Sequence, residues 1–267
     1  MEHSNFHLIA NSLRIKSFSP VFFLAVLTFG QALEAQHNSR NSLDWDGIYS
    51  GILPCADCIG IKTDIELNRN GTYRLARKYL GKGDTLFTES GTFQWDEEGS
   101  TITLSKDSDS QDQEHYKVGE NQLISLGSNS RPVRSEPGEM VILWKAGMGP
   151  FITNRYWKLV ELRGTKISDE DIAAPGPHLI LWSGSGRVSG KAGCNYFTGS
   201  YAIDTGGLGI HFSNVATTRM FCPHMDLEDQ LLEVMEVTDN YSLQGDTLSL
   251  NKARMAPLAK FVAVYFK

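Results

Sequence analysis

The stretch from Ile61 to Tyr79 constrains the fold most. Thr63, Ile65 and Leu67 alternate with Asp64, Glu66 and Asn68, and a second extended run, Thr72 to Tyr79, follows Asn70-Gly71. Asn-Gly between two alternating runs marks a tight hairpin, because both residues tolerate positive φ. Similar short runs precede and follow it: Asp46 to Leu53, Leu86 to Trp95, Thr101 to Leu104, His115 to Val118, Gln122 to Leu126 and Glu139 to Lys145. Regular strand-turn spacing without a convincing helix predicts an antiparallel barrel or sandwich. The polar run Lys106 to Glu114 reads as an exposed hairpin loop; its Asp107, Asp109 and Asp112 lack the glycine and terminal glutamate of a calcium loop.

The texture changes near Gly147-Met148-Gly149-Pro150. Beyond it, Tyr156 to Leu162, His178 to Trp182, Gly186 to Gly190, Tyr241 to Leu243, Thr247 to Leu250 and Leu258 to Phe266 read as strands. One helix is predicted from Asp226 as N-cap, with Leu227, Leu231, Val234 and Met235 on one face and acidic residues on the other. The second half is therefore α+β, and the chain divides into a 44–147 domain and a 152–267 domain.

Residues 1–35 read as a secretory signal peptide: Arg14 and Lys16 precede the apolar run Val21 to Leu27, and the small residues Gly30, Ala32 and Ala35 follow. The run is too short to span a bilayer, so no transmembrane anchor is expected in the mature chain. Cys55 is the first cysteine, so no lipid-bearing N-terminal cysteine is expected and the product is a soluble protein of the periplasm or cell envelope. Cleavage at Ala35 removes Arg14, Lys16, Glu2 and Glu34 together, leaving the net charge of -6 unchanged. A mildly acidic chain without a basic block does not point to nucleic acid.

Four cysteines in an exported chain suggest two bridges. Cys55 and Cys58 lead into a strand, so they lack the helix N-terminus that activates a catalytic Cys-x-x-Cys. A short-range disulfide and a soft-metal pair both remain open: two thiolates at this spacing suit Cu(I), whereas structural zinc needs two further ligands. Cys194 and Cys222 enclose about 27 residues, and a bridge there would stabilise by about 3.5 kcal/mol. The competing reading is a Cu(I) cluster of Met220, Cys222, His224 and Met225. No nucleophile elbow, phosphate loop or His-Glu-x-x-His helix is present, and the histidines beyond residue 35 are scattered singly at 37, 115, 178, 211 and 224. No catalytic residue is assigned.

Trp45-Asp46-Gly47-Ile48-Tyr49, Leu53-Pro54-Cys55-Ala56-Asp57-Cys58-Ile59-Gly60-Ile61-Lys62-Thr63 and Asn70-Gly71-Thr72-Tyr73 resemble the N-terminal domain of the NlpE copper-resistance family. Gly193-Cys194-Asn195-Tyr196-Phe197-Thr198-Gly199-Ser200-Tyr201 and Thr217-Thr218-Arg219-Met220-Phe221-Cys222-Pro223 resemble the META domain of HslJ-type proteins. The resemblances imply a mainly β chain, a lipocalin-like antiparallel β-barrel followed by an α+β META domain with one helix. They also imply a role in copper or envelope-stress response, with an envelope sensor or other envelope protein as partner. Two alternatives stand beside this: a lipocalin-like carrier of a small apolar ligand, with Tyr49, Phe87, Phe93 and Trp95 lining its pocket, and a weak thiol-disulfide oxidoreductase.

Overall fold

The computed structural model describes residues 38–106, 109–135, 138–149, 151–168, 175–204, 206–221, 223 and 225–266, with the side chains of 109–112 excepted. The expected signal peptide, Cys222 and His224 lie outside the described residues. A one-turn helix α1 (Ser39–Ser42) is capped by Asn38, whose side chain accepts from Asn41 N at 3.1 Å. Eight strands follow: β1 (Gly47–Leu53), β2 (Gly60–Leu67), β3 (Thr72–Leu80), β4 (Leu86–Trp95), β5 (Thr101–Lys106), β6 (Asp109–Gly119), β7 (Gln122–Leu126) and β8 (Ile142–Lys145). All neighbours are antiparallel, and β8 returns to β1 to close the barrel.

Closure follows from alternation. Tyr49, Ile65, Leu67, Tyr73, Leu75, Phe93, Ile102, Leu104, Tyr116, Val118, Leu123 and Leu143 form one buried cluster that fills the interior, as small barrels require. Trp45 packs edge-on against Phe93 and Trp95, with ring centroids 5.7 and 5.4 Å away. Arg77 pairs with both oxygens of Glu114 at 2.7 and 2.6 Å, and the Tyr116 hydroxyl donates to the same carboxylate at 2.7 Å. Tyr49 and Phe93 thus pack the core, while Phe87 is 55 % exposed on the outside against Tyr79. The expected aromatic-lined carrier pocket is corrected accordingly.

Two local readings also change. The run Lys106 to Glu114 is not one loop, because β6 begins at Asp109 and pairs its last residues with Leu126 to Gln122. In the β2–β3 turn, Gly71 has φ +82° and Asn70 does not share it. Gly71 N donates to Asn68 O at 3.0 Å, and Asn70 Oδ1 accepts from Thr72 N at 3.1 Å, a three-residue turn rather than a two-residue one.

The second sheet comprises β9 (Trp157–Leu162), β10 (Thr165–Lys166), β11 (His178–Trp182), β12 (Arg187–Lys191), β13 (Tyr196–Ile203), β14 (Ile210–Thr217), β15 (Asn240–Gln244), β16 (Thr247–Asn251) and β17 (Ala259–Ala263). Its order is β14-β13-β12-β11-β9-β17-β16-β15, with β10 on β9. The helix α2 (Met225–Val237) buries Leu231, Val234 and Met235 against Trp157, Leu159, Leu181, Val188, Phe197 and Phe261. Asp226 lies in its first turn rather than at the N-cap, where its charge still suits the helix dipole. Sequence periodicity also passed over β13 and β14, whose patterns are interrupted by a bulge between Thr198 and Ser200.

The two sheets meet. Ile52 and Leu80 on the outer wall of the barrel pack with Ile180, Tyr156 and Trp182 of the second sheet. Beside this apolar patch, Lys62 and Asp64 form an ion pair at 1 % and 2 % side-chain exposure. Phe266 covers it, its ring 4.6 Å from Lys62 Nζ and its backbone N–H donating to Asp64. This is why β1 and β2 are buried on both faces.

Candidate functional site at the cysteine loop

β1 ends at Leu53 and β2 begins at Gly60, so Pro54 to Ile59 must reverse the chain in a few residues. The Cys55–Cys58 disulfide closes this turn, with Cα atoms 5.4 Å apart. Ile59 N donates to Leu80 O at 3.1 Å, fastening the loop to the end of β3. Both cysteines are half-buried, Asp57 is exposed, and the residues form bends with no helix after them.

Asp57 Oδ1 lies 3.6 Å from Cys55 Sγ. A disulfide sulfur carries no proton, so this is contact rather than a hydrogen bond. Asp57 Oδ2 accepts from Lys82 at 2.7 Å, and that bond holds its carboxyl below the usual range. Among the described His, Cys, Asp and Glu side chains, Cys55, Asp57 and Cys58 are the set whose ligand atoms converge, all within 4.8 Å of one another. The thiols fit a soft cation only once the bridge is reduced, because a disulfide sulfur is not a thiolate.

The loop stands at the seam between the sheets. On one side Cys55, Cys58, Met140, Trp182 and Arg187 line a cleft of about 680 Å³; on the other, Cys58, Arg187, Tyr196 and Thr198 line one of about 660 Å³. Trp182 donates from Nε1 to Ser189 Oγ at 2.8 Å, and the Arg187 guanidinium lies 5.3 Å from its ring. Gly60 is needed here: a Cβ would fall 2.6 Å from Ile52 Cγ2 and 2.8 Å from Trp182 Cη2. None of these seam partners is signalled by local pattern, since Trp182 and Arg187 lie more than a hundred positions from the cysteines.

A smaller cavity of about 70 Å³ behind Ile59 is lined by Leu80, Tyr156, His178, Ile180 and Tyr196. His178 stacks on Tyr156 at 4.4 Å. Its Nδ1 lies 2.8 Å from Gly176 O, and since a carbonyl only accepts, the neutral ring carries its proton on Nδ1. Burial pushes its pKa down to about 4, with Lys191 and Lys78 adding to the effect.

The other expected ligands sit elsewhere on the second sheet. Met220 is 54 % exposed and Met225 opens α2. Cys194 is disulfide-bonded. Its neighbourhood is built on Asn195 and Glu228, 1 % and 3 % exposed. Glu228 accepts from Asn195 N at 2.9 Å, Asn195 Nδ2 at 2.8 Å and Cys194 N at 3.3 Å, while Asn195 Oδ1 accepts from Met220 N at 2.7 Å.

Residues 49–136 match the family model of the NlpE N-terminal domain, and residues 151–265 match that of the META domain. Among curated proteins, Lipoprotein NlpE of Escherichia coli (strain K12) is 31% identical over 90 residues, 33% of this chain and 36% of that protein. The chain thus spans about a third of the length of the curated relative it matches. A crystal structure of a Shewanella oneidensis protein described as a lipoprotein is 43% identical, covering 42% of this chain and 97% of that one, with a TM-score of 0.37. The crystal structure of the Cpx pathway activator NlpE from Escherichia coli is 16% identical over 60% of this chain and 87% of that one, with a TM-score of 0.31.

Proposed function

We propose that this chain is an exported, non-enzymatic envelope-stress protein in which the Cys55–Cys58 loop is a redox-gated soft-metal site. The observation that carries the reading is the disulfide itself: half-buried, at the rim of two clefts, on a segment that matches an NlpE N-terminal domain. Bridged, the pair has no thiolate to offer. When an external dithiol supplies two electrons and two protons, the bridge opens to two thiols. Their deprotonated sulfurs suit one Cu(I) and leave Zn(II) short of a tetrahedral shell. Signalling would then pass to an envelope sensor protein as partner.

Two features favour binding over thiol-disulfide catalysis. Among the described residues, the cysteines lead into a strand and not into a helix N-terminus. Asp57, with Oδ1 3.6 Å from Cys55 Sγ, sets a negative charge beside the sulfur, which disfavours a reactive thiolate. Cys194 and Cys222 are assigned as the structural bridge of the META segment.

Anaerobic Cu(I) competition against a chelator, on reduced wild type and on Cys55→Ser/Cys58→Ser, tests the assignment. Retention by wild type alone supports it. Equal retention by both moves the site to Met220, Cys222, His224 and Met225, and retention by neither removes the metal role.

A further inference from the structure

We propose that the free edge of β14, together with α2, is a docking groove for an extended peptide segment that carries apolar and basic side chains on one and the same face, taken up as an added strand. The inference is independent of the cysteine loop.

β14 is the last strand of the second sheet. Only its start is covered on the far side: Ile210 N donates to Asp239 O at 3.1 Å, and Gly209 bridges Asn240. Further along, no ladder partner occupies that side among the described residues. Backbone groups in an antiparallel strand alternate in direction. Phe212 therefore points its N–H and C=O the way Ile210 does. At the bulge, Asn214 has φ +53°. Beyond it, Thr218 N donates inward to Tyr196 O at 3.0 Å, so Val215 and Thr217 again face out. Ile210 to Thr217 contains neither the lysine nor the proline with which edges are commonly blocked.

The edge opens into a groove of about 580 Å³ between β14 and α2. Its apolar floor is Phe212, Val215 and Leu232, and its wall on α2 is acidic: Asp229, Glu233 and Glu236. Arg163 pairs with Glu233 at 2.8 Å from a largely exposed position, a partner that solvent or an incoming cation can replace. The helix has no basic residue in its last turn. A free strand edge supplies main-chain hydrogen bonds, and every second side chain of the added strand points to the α2 side, where the floor takes apolar groups and the three carboxylates select Lys or Arg over Asp or Glu.

The test is binding of acetyl-(Val-Ser-Lys-Ser)2-amide, which carries Val and Lys on one face, to the full chain, read by calorimetry and by backbone amide shifts. Three comparisons accompany it: the same peptide with the backbone N-methylated at each valine and lysine, acetyl-(Val-Ser-Glu-Ser)2-amide, and Asp229→Lys/Glu236→Lys protein. The parent peptide is expected to bind and to shift Phe212, Val215 and Thr217, and each comparison to weaken binding by about tenfold or more, roughly 1.4 kcal/mol. Undiminished affinity of the N-methylated peptide would show charge attraction without strand pairing and overturn the proposal. So would equal affinity of the acidic peptide, shifts confined to another face, or no binding by the parent peptide.

Discussion

His178 gives the second sheet a pH dependence that its neighbours define. The folded ring has a pKa of about 4, against an ordinary value of 6.5, because burial beside Tyr156 and the charges of Lys191 and Lys78 disfavour the imidazolium. Between those two values the unfolded chain binds more protons than the folded one, so stability rises with pH across the window and is fully present above it. Urea unfolding should therefore lose about 3 kcal/mol between pH 7 and pH 4 from this residue, and His178→Phe should flatten the slope. An unchanged slope in the variant would place the dependence elsewhere. Gly60 makes the opposite kind of demand, for space. Gly60→Ala should cost about 1 to 3 kcal/mol by thermal or urea unfolding and change Trp182 fluorescence. Ile52→Ala, which removes Cγ2, should cost less in the Gly60→Ala background than in wild type, since one of the two clashes is with Ile52 Cγ2. Neither demand was legible in the sequence, where Gly60 is one more glycine two residues after a cysteine and His178 a single histidine at a strand start. That of Gly60 arises only when β2 meets Trp182 of β11, and that of His178 only when Tyr156 stacks on its ring.

Among the elements, those that obey a period were legible and those shaped by a single buried contact were not. β2, β3 and β11 alternate or run apolar, and α2 shows its stripe at Leu231, Val234 and Met235. β14 hides its period behind a bulge, and β6 begins in a polar run whose pairing comes from its neighbours. The Cys194 loop is a case of the second kind. Glu228 reads as an outward-facing helix charge, yet it is buried and holds the backbone N–H groups of Cys194 and Asn195. Glu228→Ala should leave these donors unpaired and destabilise the protein by about 3 kcal/mol, measured by thermal unfolding. A loss within the scatter of surface substitutions would mean that water replaces the carboxylate.

At the scale of the whole molecule, the barrel and the second sheet are joined by an apolar patch and a buried polar clasp. Lys62 and Asp64 on the barrel meet Phe266, a contact spanning 202 positions that no local pattern could announce. Burial lowers the Lys62 pKa while Asp64 opposes that shift. Removing one partner strands a charge, so Asp64→Ala should cost about 3 to 5 kcal/mol and separate the melting of the barrel from that of the second sheet, whereas Lys62→Met/Asp64→Leu should be far milder. Calorimetric scans of the three proteins check this. Nearby, Tyr265 donates to Asp246 at 2.6 Å and Asp246 accepts from Gly147 N at 3.0 Å, tying the connection between the sheets to the same clasp. The cysteine loop borders this seam, with Gly60 packed on Trp182 only two residues after Cys58. A change in the bridge is therefore placed where the second sheet can feel it. The most direct measurement of the central claim is an anaerobic Cu(I) titration, with excess chelator, of one sample taken first oxidised and then reduced. Oxidised protein is expected to take up no Cu(I), and the same sample after reduction one equivalent. Uptake that is the same in both states, or absent in both, would contradict it.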